Sequence, residues 1–272
     1  EQRFGVSHKV KLKQLRKLVD VLTLTATPIP RTLHLSLVGI RDLSIINTPP
    51  EDRLPVKTHV LEFNEEVIAD ATRRELARNG QVFFLHDRVR SIYTMARLVQ
   101  RLVPEAKVGV VHGRMKPAEI EDAMGRFVRR EDNVLVCTTI IGSGLDIPTA
   151  NTIIINRADR FGLGQLYQIR GRVGRSKEES FAYLLVPKGA MLSRDAQKRL
   201  QVIMDFTEPG SGFRIASNDL DIRGAGNLLG ISQSGHVSAV GYELYTELME
   251  KAIREIKGEP APEEERRSFA AS

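Results

Sequence analysis

From about residue 56 the chain alternates short apolar runs with longer segments whose apolar positions recur every three or four residues. The runs 82–85, 108–111, 134–138, 152–155 and 181–186 have the length of strands. Segments 89–102, 116–129 and 164–171 have helical periodicity. In the second of these, Ile120, Met124, Phe127 and Val128 share a stripe, and Pro117 suits a first helical turn. Apolar strands alternating with amphipathic helices predict an α/β fold, a parallel sheet covered by helices on both faces. Ligands of such sheets bind in loops at the strands' carboxyl ends, and the unusual residues are expected there.

The flanks follow other patterns. Residues 21–25 read as a short buried strand ended by Pro28 and Pro30, and the prolines at 49, 50 and 55 mark a linker. Past residue 190 the pattern becomes helix, glycine-rich loop, helix. The last helix, about 240–257, lines up Leu244, Leu248, Met249, Ala252, Ile253 and Ile256. From residue 258 Pro, Glu and Ala dominate, which predicts a disordered tail or linker.

Composition narrows the function classes. The 272 residues, 42% hydrophobic and 27% charged, contain no apolar run of 18, so no membrane span is expected. Residues 1–3 show no secretory pattern. The single cysteine, Cys137, permits no internal disulfide, so a cytoplasmic protein is expected. The six histidines and one cysteine have no zinc-ligand spacing, and no metal site is expected within the chain. The net charge of +6 is concentrated: residues 1–31 hold seven Lys/Arg against two acids, and 157–177 hold six against one. Such blocks suit local phosphate sites.

The sharpest motif is Gln168-Ile-Arg-Gly-Arg-Val-Gly-Arg175, three arginines spaced by two glycines. Phosphoryl transfer needs cations on the equatorial oxygens, which a guanidinium fork serves better than an ammonium, and glycine lets backbone approach closely. This motif resembles the sixth motif of superfamily 2 helicases. The resemblance implies Arg172 and Arg175 as catalytic arginine fingers and Gln168 as a coupling residue. Thirty residues earlier a strand runs into Thr138 and Thr139 and then a loop with Gly142, Gly144 and Asp146. Hydroxyls and amides there suit nucleic-acid phosphates, and Asp146 is placed to orient either the arginines or a ribose hydroxyl. This stretch resembles the fifth helicase motif, except that the family usually has an acid where Gly142 stands; that position receives no role. Gly144 and Asp146 are assigned to ATP coupling.

Two further stretches carry the resemblance. Thr25-Ala26-Thr27 resembles the third motif, which links ATP state to DNA grip, and His112-Gly113-Arg114 resembles the family's phosphate-contacting turn. The implied DNA contacts are therefore His112, Gly113, Arg114, Thr138 and Thr139. Residues 1–6, Glu-Gln-Arg-Phe-Gly-Val, resemble the end of a Walker B motif whose first two carboxylates would precede residue 1. No Gly-x-x-x-x-Gly-Lys-Ser/Thr loop occurs in the chain. ATP and Mg2+ are thus expected to be held mainly by a first RecA-like domain outside it, and the chain alone is expected not to hydrolyse ATP.

Residues 219–235 form a glycine-rich loop with Arg223 and Gln233. They resemble the translocation motif shared by bacterial transcription-repair coupling factors and the branch-migration helicase RecG, with Arg199 on the preceding helix as a partner of both. Segments 39–53, 222–226 and 241–245 resemble the coupling factors more, since RecG usually has Pro where Ala225 stands. The implied organisation is the end of a first RecA-like domain (1–49), a second RecA-like domain (50–190), a helical translocation element (191–257) and a tail (258–272). The implied function is ATP-driven movement along double-stranded DNA that displaces stalled RNA polymerase and couples transcription to excision repair. Polymerase and repair proteins would be met by parts outside this chain. The alternatives are a RecG-type branch-migration helicase and a non-catalytic DNA-binding fragment.

Overall fold

The computed structural model describes residues 54–138 and 147–223, together with the single positions Leu24, Ser44 and Ile46. The strand expected at 21–25, the helix at 240–257 and the tail lie outside the described residues, apart from Leu24 itself. Six strands are described: β1 (Lys57–Glu62), β2 (Gln81–Leu85), β3 (Val108–Val111), β4 (Val134–Cys137), β5 (Ala150–Asn156) and β6 (Phe181–Val186). They form one sheet in the order β1-β6-β5-β2-β4-β3, and every pairing is parallel. The helices are α1 (Glu65–Ala77), α2 (Ile92–Leu102), α3 (Pro117–Val128), α4 (Leu163–Arg170), α5 (Arg194–Asp205) and α6 (Gly212–Arg223).

The inner strands β2, β4 and β5 are buried along their whole length, as a sheet covered on both faces requires. Alternate residues serve opposite faces. Val82 and Phe84 of β2 pack with Ile68 and Ala69 of α1 and with Ile92, Ala96 and Val99 of α2. Between them, Phe83 turns the other way and meets the Phe127 ring of α3 at 5.1 Å. The start of β2 is tied to the end of α3 by Gln81, whose Nε2 donates to Phe127 O at 2.6 Å and Asp132 O at 2.9 Å.

Two elements were not in the periodicity. β1, Lys-Thr-His-Val-Leu-Glu, is an edge strand of mostly polar residues, stabilised by pairing with β6 rather than by an apolar run. α1 buries Ile68, Ala69, Ala71, Thr72 and Glu75, a stripe too rich in small and polar residues to stand out. Its start is capped by Asn64, whose side chain accepts from Glu66 N at 2.8 Å.

The helix expected at 89–102 begins as a 3-10 turn, Val89–Ser91, before α2. A compact unit runs from Ile46 to Ile215, so α5 packs with the sheet domain, touching β1 and α4. Among the described residues no helix is long and apolar enough to cross a membrane.

Candidate functional site

The strand order creates a switch point. After β2 the chain crosses to β3 on one side, and after β5 it crosses to β6 on the other, although β2 and β5 are neighbours. Their carboxyl ends therefore open a crevice of the kind that takes ligands in parallel sheets. Its walls are His86, Asp87 and Arg88 after β2, and Asn156, Arg157, Asp159 and Arg160 at the end of β5. Arg160 Nη1 bonds Asp87 Oδ2 at 2.6 Å, and Arg88 Nε lies 3.6 Å from the same oxygen. Arg157 holds a left-handed backbone (φ 58°, ψ 47°), uncommon for a residue with a Cβ, while its guanidinium grips Asp159 with two 3.0 Å bonds.

His86 is sealed beneath this crevice. Asn156 Nδ2 is 3.1 Å from its Nδ1 and Ser91 Oγ is 2.7 Å from its Nε2, an arrangement satisfied by a neutral ring with the proton on Nε2. Burial lowers its pKa, the nearby Asp87 opposing that trend. A histidine that binds protons less readily folded than unfolded contributes stability above the ordinary histidine range, which is lost as pH falls through the lowered value.

The turn after β3 carries His112, Gly113 and Arg114, the residues the motif singled out. The His112 ring is 7% exposed, with both nitrogens engaged within the chain. Nδ1 accepts from Arg114 N at 3.3 Å, and Nε2 lies 3.2 Å from Tyr93 Oη. The exposed groups at this turn are Gly113 and Arg114, held in place by the covered histidine. Thr138 closes the neighbouring β4, its N–H donating to Val111 O at 3.2 Å, and it too is mostly covered. Thus His112, Gly113, Arg114 and Thr138 do meet at one carboxyl edge. Thr139, Gly144, Asp146, Thr25, Thr27 and Gln233 lie outside the described residues. Arg223 ends α6, and Arg199 Nη2 donates to Asp159 O at 3.1 Å.

The arginine motif corrects the expectation that all the chemistry gathers at the carboxyl ends. Helix α4 carries the chain back across the sheet, so the turn after it lies at the strands' amino ends. Ser176 Oγ donates to Asn151 Oδ1 at the start of β5, and Ser180 O accepts from Lys57 N at the start of β1. Within this turn Val173 is fully buried and anchors the loop, leaving Arg172 half-buried and Arg175 exposed. Gly174 has φ +76°, and a Cβ there would stand 3.0 Å from Val56 Cγ2, so glycine is favoured. Gln168 is half-buried on the last turns of α4. The arginine turn and the edge carrying Gly113 and Arg114 are therefore separate places on the sheet.

The charged residues of the switch crevice were missed by the sequence reading. The signal was present, since Asp87 and Arg157 each stand two residues past the end of a predicted strand.

The helicase conserved C-terminal domain family matches residues 63–177. A transcription-repair-coupling factor of Myxococcus xanthus is 55% identical over 260 residues, 96% of this chain and 22% of that protein. Over nearly its whole length the chain is similar to transcription-repair coupling factors. A second member, from Staphylococcus epidermidis, is 56% identical over 258 residues, covering 95% of this chain and 22% of its own length. The chain thus spans about a fifth of the coupling factors it matches. Its fold is that of the RecA-like helicase domains. A structure of RecG bound to a three-way DNA junction superimposes with a TM-score of 0.65 at 32% identity, over 92% of this chain and 32% of RecG.

Proposed function

We propose that the chain is the second motor half of an ATP-driven double-stranded DNA translocase that displaces stalled RNA polymerase and couples transcription to nucleotide excision repair. The observation that carries this reading is the turn after α4. A buried valine and a glycine with a left-handed backbone hold Arg172 and Arg175 on a short, anchored loop at the amino ends of the strands. ATP supplies a γ-phosphoryl group whose charge spreads over its equatorial oxygens during transfer. Two guanidinium groups on an anchored turn fit that chemistry, and Gln168 one turn before them is placed to sense it. Residues 1–49 would complete the first RecA-like domain. Residues 191–257 would form the translocation element, with Arg199, Arg223 and Gln233 coupling hydrolysis to movement. ATP and magnesium would be held mainly by the first RecA-like domain.

DNA is assigned to the opposite edge, where Gly113 and Arg114 present a backbone amide and a guanidinium at the turn shaped by His112, with Thr138 next to them. Contacts of this type suit phosphates rather than base edges. Binding of duplex DNA by the chain should be indifferent to sequence. If about three phosphates are neutralised, log affinity should fall with log salt at a slope of roughly −3. Titrations at several salt concentrations read this directly, and a salt-independent affinity would count against the assignment.

The chain by itself is expected to release no phosphate from ATP above background, with or without saturating duplex. Turnover that disappears on Arg172→Ala would overturn this expectation.

The 32% identity to RecG keeps a branch-migration activity as the second reading. Offering the full-length protein both a stalled transcription complex and a model fork tests the two. Displacement of polymerase supports the coupling reading, and remodelling of the fork alone would replace it.

A further inference from the structure

Of the three arginines in the 168–175 motif, Arg170 is the one withdrawn from solvent, at 3% exposure. Its Nη1 donates to Ile203 O at 2.6 Å and its Nη2 donates to Phe206 O. The guanidinium carbon lies 5.4 Å from the centre of the Tyr167 ring, within cation–π range. Ile203 sits in the last turn of α5 and Phe206 is its C-cap. Carbonyls at that end of a helix lack intrahelical partners and carry its partial negative charge. The last turn of α5 has no basic residue of its own, so the missing cation is delivered from α4.

Arg170 also starts the turn that carries Arg172. Arg172 N donates to Ile169 O at 3.0 Å and Val173 N to Arg170 O at 3.3 Å, so Arg172 rides on a hydrogen-bonded turn whose first residues are fixed by the Arg170 anchor. At the other end of α4, Arg199 of α5 holds the carbonyl of Asp159 in the 3-10 turn Ala158–Arg160, just ahead of that helix. The segment Ala158–Arg170 is thus tied to α5 at two points. A shift of the α5 terminus therefore reaches Arg172 through one side chain and one turn.

We infer that Arg170 is a positioning residue that fixes the location of Arg172 by gripping the C-terminus of α5, and that it does not contact the nucleotide. This rests on the proposed motor function. The test uses the full-length protein with Arg170→Lys, which keeps a positive charge but loses the planar fork that spans two carbonyls. Expected results are a kcat for ATP lowered roughly tenfold, an ATP Kd within twofold of wild type, and faster amide exchange in the last turn of α5. Because Arg170 acts through Arg172, the double variant with Arg172→Ala should be no slower than Arg172→Ala alone.

An ATP Kd raised in step with the loss of kcat would make Arg170 a nucleotide ligand and overturn the inference. So would losses that multiply in the double variant, or a kcat loss with unchanged exchange in α5. If Arg170→Lys does not fold, Tyr167→Leu, which removes the aromatic ring beneath the guanidinium, should lower kcat two- to threefold with the same non-additivity. A silent Tyr167→Leu would then overturn the inference. A wild-type protein without DNA-stimulated ATPase would instead sink the motor reading itself.

Discussion

Arg172→Ala and Arg175→Ala, each introduced into the full-length protein, are expected to lower ATP turnover by roughly 10³–10⁵, the range set by arginine fingers in other phosphoryl-transfer enzymes. ATP affinity should change far less, because a finger meets charge that develops only on the way to the transition state. The two variants need not lose equally. Arg172 is half-buried and backed by the buried Val173, whereas Arg175 is exposed on the far side of Gly174. The more constrained side chain is the better preorganised, so Arg172→Ala should be the more damaging. Steady-state phosphate release at saturating DNA, paired with equilibrium nucleotide binding, separates the outcomes. Near-normal turnover in both variants would reduce the motif to an exposed basic turn. Lost binding with unchanged turnover per bound ATP would make it a ground-state phosphate clamp.

Phe127→Ala should produce the largest change in stability, about 3–5 kcal/mol by the usual cost of emptying a buried aromatic site. Phe127 is fully buried, its ring lies 5.1 Å from Phe83 of the central strand β2, and its carbonyl accepts from Gln81. The side chain thus fastens α3 to the middle of the sheet, and α3 directly follows the turn of His112, Gly113 and Arg114. A urea titration of the chain should show an earlier midpoint with little change in slope. Because the arginine turn packs against Val56 and Ser180 instead, partial loss of α3 should weaken DNA binding before it disturbs that turn. A midpoint within experimental error of wild type would mean that α3 contributes little to the fold.

Much of this architecture is written locally. The strands β2, β4, β5 and β6 are apolar runs because they are buried on both faces, and burial on both faces is what a central parallel strand demands. β3 and the helices α2, α3 and α4 were legible for the same kind of reason, since one-sided burial leaves a period of three to four in a helix. The arginine motif was legible because its residue types and spacing are chemistry in themselves.

What the tertiary structure decided are matters of partnership, which no local pattern encodes. Lys57–Glu62 is a strand because β6 pairs with it, its polar composition notwithstanding. The resemblance picked out His112-Gly113-Arg114 together, but only the fold shows that Tyr93, 19 residues earlier, covers the His112 ring and leaves Gly113 and Arg114 exposed. The arginine turn was expected among the carboxyl-end loops, but α4 runs back across the sheet and delivers it to the amino ends, a consequence of a crossover rather than of any residue in the motif. The motif set Arg170 apart from Arg172 and Arg175 without saying what it does. Its buried setting comes from two carbonyls, those of Ile203 and Phe206, which chain folding alone brings within reach of its guanidinium.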